Sequence, residues 1–182
     1  MRGRISVALE RPGPTDVFLY FERSLEALDA LGDSLKAFAV VREESKFYGL
    51  TLKERQAALR DMRAELDAEV SLALMASFEA ALRVDFLARV YGRKREAVSR
   101  DFRSLHSRLR EKVRLEDILD AWKRRHGLVR KVGDFKELLP LRAWLAHGRY
   151  WTRKDARRAD PGSVWQRGRD LINSLPGFTG PI

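Results

Sequence analysis

The chain has 182 residues, with 36 Lys or Arg against 26 Asp or Glu and a net charge of +10. At 45% hydrophobic residues it is long enough for one cored domain, and without cysteine it excludes disulfides, thiolate metal sites and thiol nucleophiles. His106, His126 and His147 are the only histidines, too few for a multi-histidine centre from one element, so no metal and no cofactor are expected.

Pro12-Gly-Pro14 breaks the chain, and Thr15 or Asp16 is a candidate cap for a helix carrying Val17, Phe18, Phe21, Leu25, Leu28 and Leu31 to an end near Gly32. Leu35 to Val41 leans towards helix, and Phe47-Tyr-Gly49 reads as a turn. Thr51-Leu-Lys-Glu54 is a capping box. Behind it Leu59, Met62, Leu66, Val70, Leu74, Phe78, Leu82, Phe86 and Val90 recur at steps of three or four, with no Pro or Gly before Gly92. The pattern predicts one long helix, or two nearly collinear ones, that supplies almost everything a bundle core needs.

Residues 95–111 read as a helix with a very basic exposed side. Leu115, Ile118, Leu119 and Trp122 mark another, ending at Arg124-Arg-His-Gly127. Asp134 is a candidate cap for the next helical start, and Pro140 fits the first turn of a helix running to about Trp151. Asp160-Pro161 opens a last amphipathic helix with Val164, Trp165, Leu171, Ile172 and Leu175, stopped by Pro176-Gly177. The predicted fold is an all-α bundle with a long central helix.

The opening MRGRISVALERPGP holds no apolar stretch of signal-peptide length. The apolar-rich segment from Val70 to Val90 is interrupted by Glu79, Arg83, Asp85 and Arg89. No membrane partner is expected, and a cytoplasmic, soluble protein is the default.

Charge is distributed unevenly. Residues 92–139 carry 15 basic and 8 acidic groups and residues 140–182 carry 8 and 3, whereas the first 91 are slightly acidic. Arginine supplies 27 of the 36 cations. A guanidinium binds phosphate in a bidentate fashion and stacks on bases, which favours a nucleic-acid partner. The alternative is a solvated basic surface.

Within this basic half, Leu141-Arg-Ala-Trp-Leu-Ala-His-Gly-Arg-Tyr-Trp151 places Arg142 five residues before His147. An imidazole can take or give a proton near neutral pH, and a guanidinium can hold the charge of a pentacoordinate phosphate. Without a metal, the pair could drive attack of an RNA 2′-hydroxyl on its neighbouring phosphate, leaving a 2′,3′-cyclic phosphate and a 5′-hydroxyl. Arg100 and His106 form a competing match in a charged helix, where His106 reads as a surface residue; for His126 a role at a helix C-terminus suffices. A core or capping role is the alternative for His147.

The Arg142–His147 segment, with its Leu-Ala-His-Gly texture, resembles the signature of the HEPN superfamily: Arg, four to six residues, then His. Ser71-Leu-Ala-Leu-Met-Ala-Ser-Phe-Glu-Ala-Ala-Leu-Arg83 looks like the HEPN helix that faces the signature helix. The resemblance covers roughly residues 52–175. It implies a helical bundle over 51–182, with 1–50 an N-terminal extension packed on it or leading into it. It also implies a metal-independent endoribonuclease of the kind found in toxin–antitoxin and phage-defence systems, with Arg142 and His147 catalytic. In HEPN ribonucleases two subunits line one cleft with their signature helices, so a homodimer is implied. That fits a pair lying about 140° apart around one helix. A symmetric dimer would also bury part of the aromatic excess around Trp144, Tyr150 and Trp151.

Of the two acids within the apolar helix, Glu79 and Asp85, Glu79 is the expected partner of Arg142, with a solvated or structural carboxylate as the alternative; Arg149, Arg153 and Lys154 are expected to follow the RNA backbone, with a solvated basic loop as the alternative. Two positions depart from the pattern. Ala143 stands where many members have Asn or Asp, removing a group that could orient the imidazole. In some HEPN toxins a Tyr two residues after the His is modified by a nucleotidyltransferase antitoxin; here Arg149 holds that place and Tyr150 follows it. A non-catalytic module that binds RNA, a nucleotide or a partner protein remains the alternative, and a helical scaffold without nucleic acid is a third.

Overall fold

The computed structural model describes residues 12–36, 41–92, 94–147 and 160–182, with the backbone alone for Arg125 and His126. All regular structure among them is helical. The elements are α1 (Pro14–Lys36), α2 (Leu52–Tyr91), α3 (Ala97–Leu109) with a 3-10 turn (Arg110–Lys112), α4 (Leu115–His126), α5 (Val129–Lys136), α6 (Leu139–Ala146) and α7 (Pro161–Ser174).

The long helix α2 has 40 residues, hence a length of about 60 Å. Its start is the capping box: Thr51 N–H donates to Glu54 Oε2 (2.8 Å), and Glu54 N–H donates to Thr51 Oγ1 (3.3 Å). The Thr51 side chain and backbone hold the Glu54 carboxyl below the usual glutamate range. The helix is not a nearly sufficient core by itself. Val70, Leu74, Phe78, Leu82 and Phe86 are buried, but Leu59 and Leu66 are half-buried and Met62 is exposed. The first half of α2 lies outside the central core, with α1 alongside it and an Arg63–Asp29 ion pair between the two. The rest of the core comes from Phe102, Ile118, Trp122, Phe135, Leu171 and their neighbours on the shorter helices.

Three expected boundaries move. Helix α1 runs through Gly32 to Lys36, because Gly32 is buried beside the Leu59 side chain and packing carries the helix past it. Val41 lies outside any helix, and 37–40 lie outside the described residues. Asp134 is not a cap but an interior residue of α5, which begins at Val129 directly after Gly127 closes α4 in the left-handed conformation (φ 62°). Helix α6 takes Pro140 in its first turn, as expected, but ends at Ala146 rather than near Trp151; Trp151 lies outside the described residues.

Helix α1 joins the common core through Phe21, and Phe18 stacks on Trp165 of α7 at 4.8 Å. Asp160 caps α7 by accepting from Gly162 N–H (3.1 Å), with Pro161 following as the sequence indicates. Helix α7 approaches α2 so closely that a Cβ at Gly168 would stand 2.3 Å from the Phe78 ring. Phe78 is wholly buried between Phe135 and Trp165 and cannot yield. Gly168→Ala is therefore expected to lower stability by about 1–3 kcal/mol, seen as a lower urea midpoint at unchanged slope.

The charged residues inside α2 are organised as pairs. Arg89 and Asp85 are both fully buried, and Arg89 Nε donates to Asp85 Oδ2 at 2.9 Å and Oδ1 at 3.1 Å. Arg89 Nη2 reaches the carbonyls of Pro176 (2.8 Å) and Gly177 (2.6 Å), Nη1 pairs with Glu96, and the guanidinium lies 4.7 Å from the Trp122 ring centroid. Asp85 Oδ1 accepts from both the N–H and the hydroxyl of Thr179, each at 3.0 Å. This cluster ties α2 to the start of α3 and to the segment after α7.

Candidate functional site

Helix α6 is short, and buried Leu141 and Leu145 fix it against the bundle. The Arg142 N–H bonds Leu138 C=O (3.0 Å) and the His147 N–H bonds Ala143 C=O (3.1 Å), so both candidate residues hang from one helical ladder. Arg142 projects towards α2, where its Nη2 lies 2.8 Å from Glu79 Oε2. Glu79 is thus brought to Arg142, and the other carboxylate of the apolar stretch, Asp85, pairs with Arg89 instead.

Sequence reading missed the third member of this cluster. Arg83, one turn after Glu79 on α2, places Nη2 and Nε each 2.9 Å from the other carboxylate oxygen, Oε1. Its Nη1 donates to Val113 C=O at 3.2 Å. The i, i+4 spacing of Glu79 and Arg83 is the signal that could have revealed it. One carboxylate, 17% exposed, is held between two guanidiniums, so the group carries a net positive charge. Arg142 itself is 40% exposed. Among the described residues an acid engages only Nη2 of its guanidinium, and Nε is buried with no hydrogen-bond acceptor. A guanidinium anchored along one edge retains donors for an anion.

His147 is the exposed C-terminal cap of α6 (φ −96°, ψ 20°). No side chain among the described residues hydrogen-bonds its imidazole, and Ala143 one turn earlier offers only a methyl group. No hydrogen bond between the Arg142 and His147 side chains is formed among the described residues. Trp144 packs half-buried against the core, while Arg149, Tyr150, Trp151, Arg153 and Lys154 lie outside the described residues.

The competing match is organised differently. Arg100 Nη1 donates to Arg95 C=O (2.6 Å), and His106 is half-buried instead of lying at the surface, its ring 5.8 Å from Tyr91 and 6.2 Å from Phe86. Among the described residues no group of three or more His, Asp or Glu is arranged to hold a metal, and no helix is long and apolar enough to cross a membrane.

Comparison with protein-family models, with curated proteins and with solved structures gives no match for this chain. The HEPN resemblance therefore rests on the residues quoted above, and the all-α bundle on the structure itself.

Proposed function

We propose that the chain is a metal-independent endoribonuclease of HEPN type, in which Arg142 and His147 assist attack of an RNA 2′-hydroxyl on the adjacent phosphate. The observation that carries this reading is the anchored, half-exposed Arg142 guanidinium on the same short helix that ends in an exposed His147. In this reading Arg142 neutralises the phosphate as charge builds on it, and His147 transfers the proton. Because the two residues stand about 140° apart around one helix, the proposal includes a homodimer whose α6 helices line a shared cleft, each subunit completing the other's site. A toxin or phage-defence role, with a nucleotidyltransferase-type antitoxin, belongs to the same proposal, as does a cytoplasmic setting.

The test is incubation of RNA with the wild-type chain in excess EDTA, with analysis of the new ends. The expected products carry 2′,3′-cyclic phosphate and 5′-hydroxyl groups, and a DNA copy of the same sequence stays intact because it lacks the nucleophile. Cutting of the DNA copy, or 3′-hydroxyl products from RNA, contradicts the mechanism. The second reading, a non-catalytic helical module that binds RNA, a nucleotide or a partner protein, is favoured by Ala143 and by the absence of a described group orienting His147. RNA bound without any product selects it.

A further inference from the structure

The last turn of α3 and the turn that follows it concentrate exposed cations. Arg108, Arg110, Lys112 and Arg114 are all exposed, and among the described residues no carboxylate forms an ion pair with any of them. Glu111 is the only acid between residues 102 and 115. Leu109 is partly buried, and Val113 and Leu115 are buried, so the backbone of the turn is pinned to the core while its charged side chains stand in solvent.

One residue of this turn is held against its own preference. Arg110 has φ 54° and ψ −124°, and it is the single non-glycine residue with positive φ among those described. Glycine adopts such a backbone freely, whereas a side chain with a Cβ is strained there. Strain of this kind persists where the surroundings impose it, and it gathers at ligand-binding and active sites. Here the residue so held is a solvent-exposed arginine at the start of the 3-10 turn.

The turn is also joined to the site on α6. Val113 C=O accepts from Arg83 Nη1 (3.2 Å), the same guanidinium that shares Glu79 with Arg142. Polar contacts thus lead in succession from Arg142 through Glu79 and Arg83 to the backbone of the turn.

We propose that the 108–114 turn is a phosphate-docking surface for RNA, gripping the nucleotides beside the phosphate held at Arg142; the second half of this statement rests on the endoribonuclease reading. Three arginines supply forked donors to phosphate oxygens and Lys112 a point charge. The contacts are to the backbone, so they add affinity without base preference.

The experiment measures binding of a single-stranded RNA to the full-length His147→Ala protein, in which the endoribonuclease reading expects cleavage too slow to disturb the measurement, across a range of salt concentrations. Replacing Arg108, Lys112 and Arg114 together by Gln should weaken binding about tenfold at low salt. It should also flatten the log–log salt dependence by ~2, at ~0.7 for each phosphate no longer neutralised. Arg110→Gly makes a sharper prediction: higher thermal stability, from relief of strain, together with weaker RNA binding. A surface of merely structural or solubilising character would give the first effect without the second. Unchanged affinity and salt dependence in the triple variant overturn the proposal, as does failure of the parent protein to bind RNA. Cleavage by the wild type with unaltered binding by the triple variant removes the docking surface and leaves the endoribonuclease standing. Binding that falls as expected, with no cleavage by the wild type, does the reverse.

Discussion

Arg89→Met is expected to lower the free energy of unfolding by about 3–5 kcal/mol, the cost of leaving one member of a buried ion pair alone. Asp85 has no exposure in the folded chain, and Arg89 is its cationic partner. With the guanidinium gone, the Asp85 carboxylate keeps the Thr179 donors, while the carbonyls of Pro176 and Gly177 lose theirs. Both losses act on the segment after α7, so its amides should exchange with solvent well before those of α2. Adding Asp85→Leu to Arg89→Met should recover much of the stability, since an apolar pair needs no charge compensation. Recovery should be incomplete, because Thr179 then lacks an acceptor. Urea unfolding of the single and double variants measures both effects. A single variant as stable as the wild type would show that the pair does not hold the C-terminal segment.

His147→Ala carries the largest functional effect. Loss of a proton-transferring side chain should reduce the rate of RNA cleavage by about 10²–10⁴. The same change should leave stability within about 0.5 kcal/mol of the wild type, because the imidazole is exposed and bonds no described side chain. That combination separates a catalytic role from a structural one. A histidine serving only as a helix cap would move the unfolding midpoint and leave any cleavage untouched.

Much of the architecture was legible because caps act locally. Thr51 and Glu54 close a box three residues long, Asp160 meets Gly162, and Gly127 takes a positive φ just after α4. Each is settled by its immediate neighbours. What the residues could not show is where distant packing overrides local preference. Gly32 ends nothing because Leu59 lies against it, and Asp134 is interior to α5 because α4 closes and the chain re-enters a helix at once.

At the site, the Glu79–Arg142 pairing could be anticipated from a carboxylate set in an apolar stripe, since a charge so placed must find a partner. The sharing of Glu79 with Arg83, and the pairing of Asp85 with Arg89, lie at helical spacing and were readable in principle. Their depth was not. Asp85 and Arg89 are closed off by Pro176 to Thr179, about ninety residues later, and only the folded chain brings those together. The backbone of Arg110 had no signal at all, because nothing in an arginine announces a conformation that favours glycine.

Metal-independent cleavage of RNA by Arg142 and His147 is the activity proposed for this chain. It is tested most directly by comparing the wild type and His147→Ala on one RNA oligonucleotide, in excess EDTA and at equal folded concentration. Products ending in 2′,3′-cyclic phosphate are expected from the wild type, with a rate at least about 100-fold lower from the variant. Equal cleavage by the two proteins, or none by the wild type across varied RNAs, would contradict it.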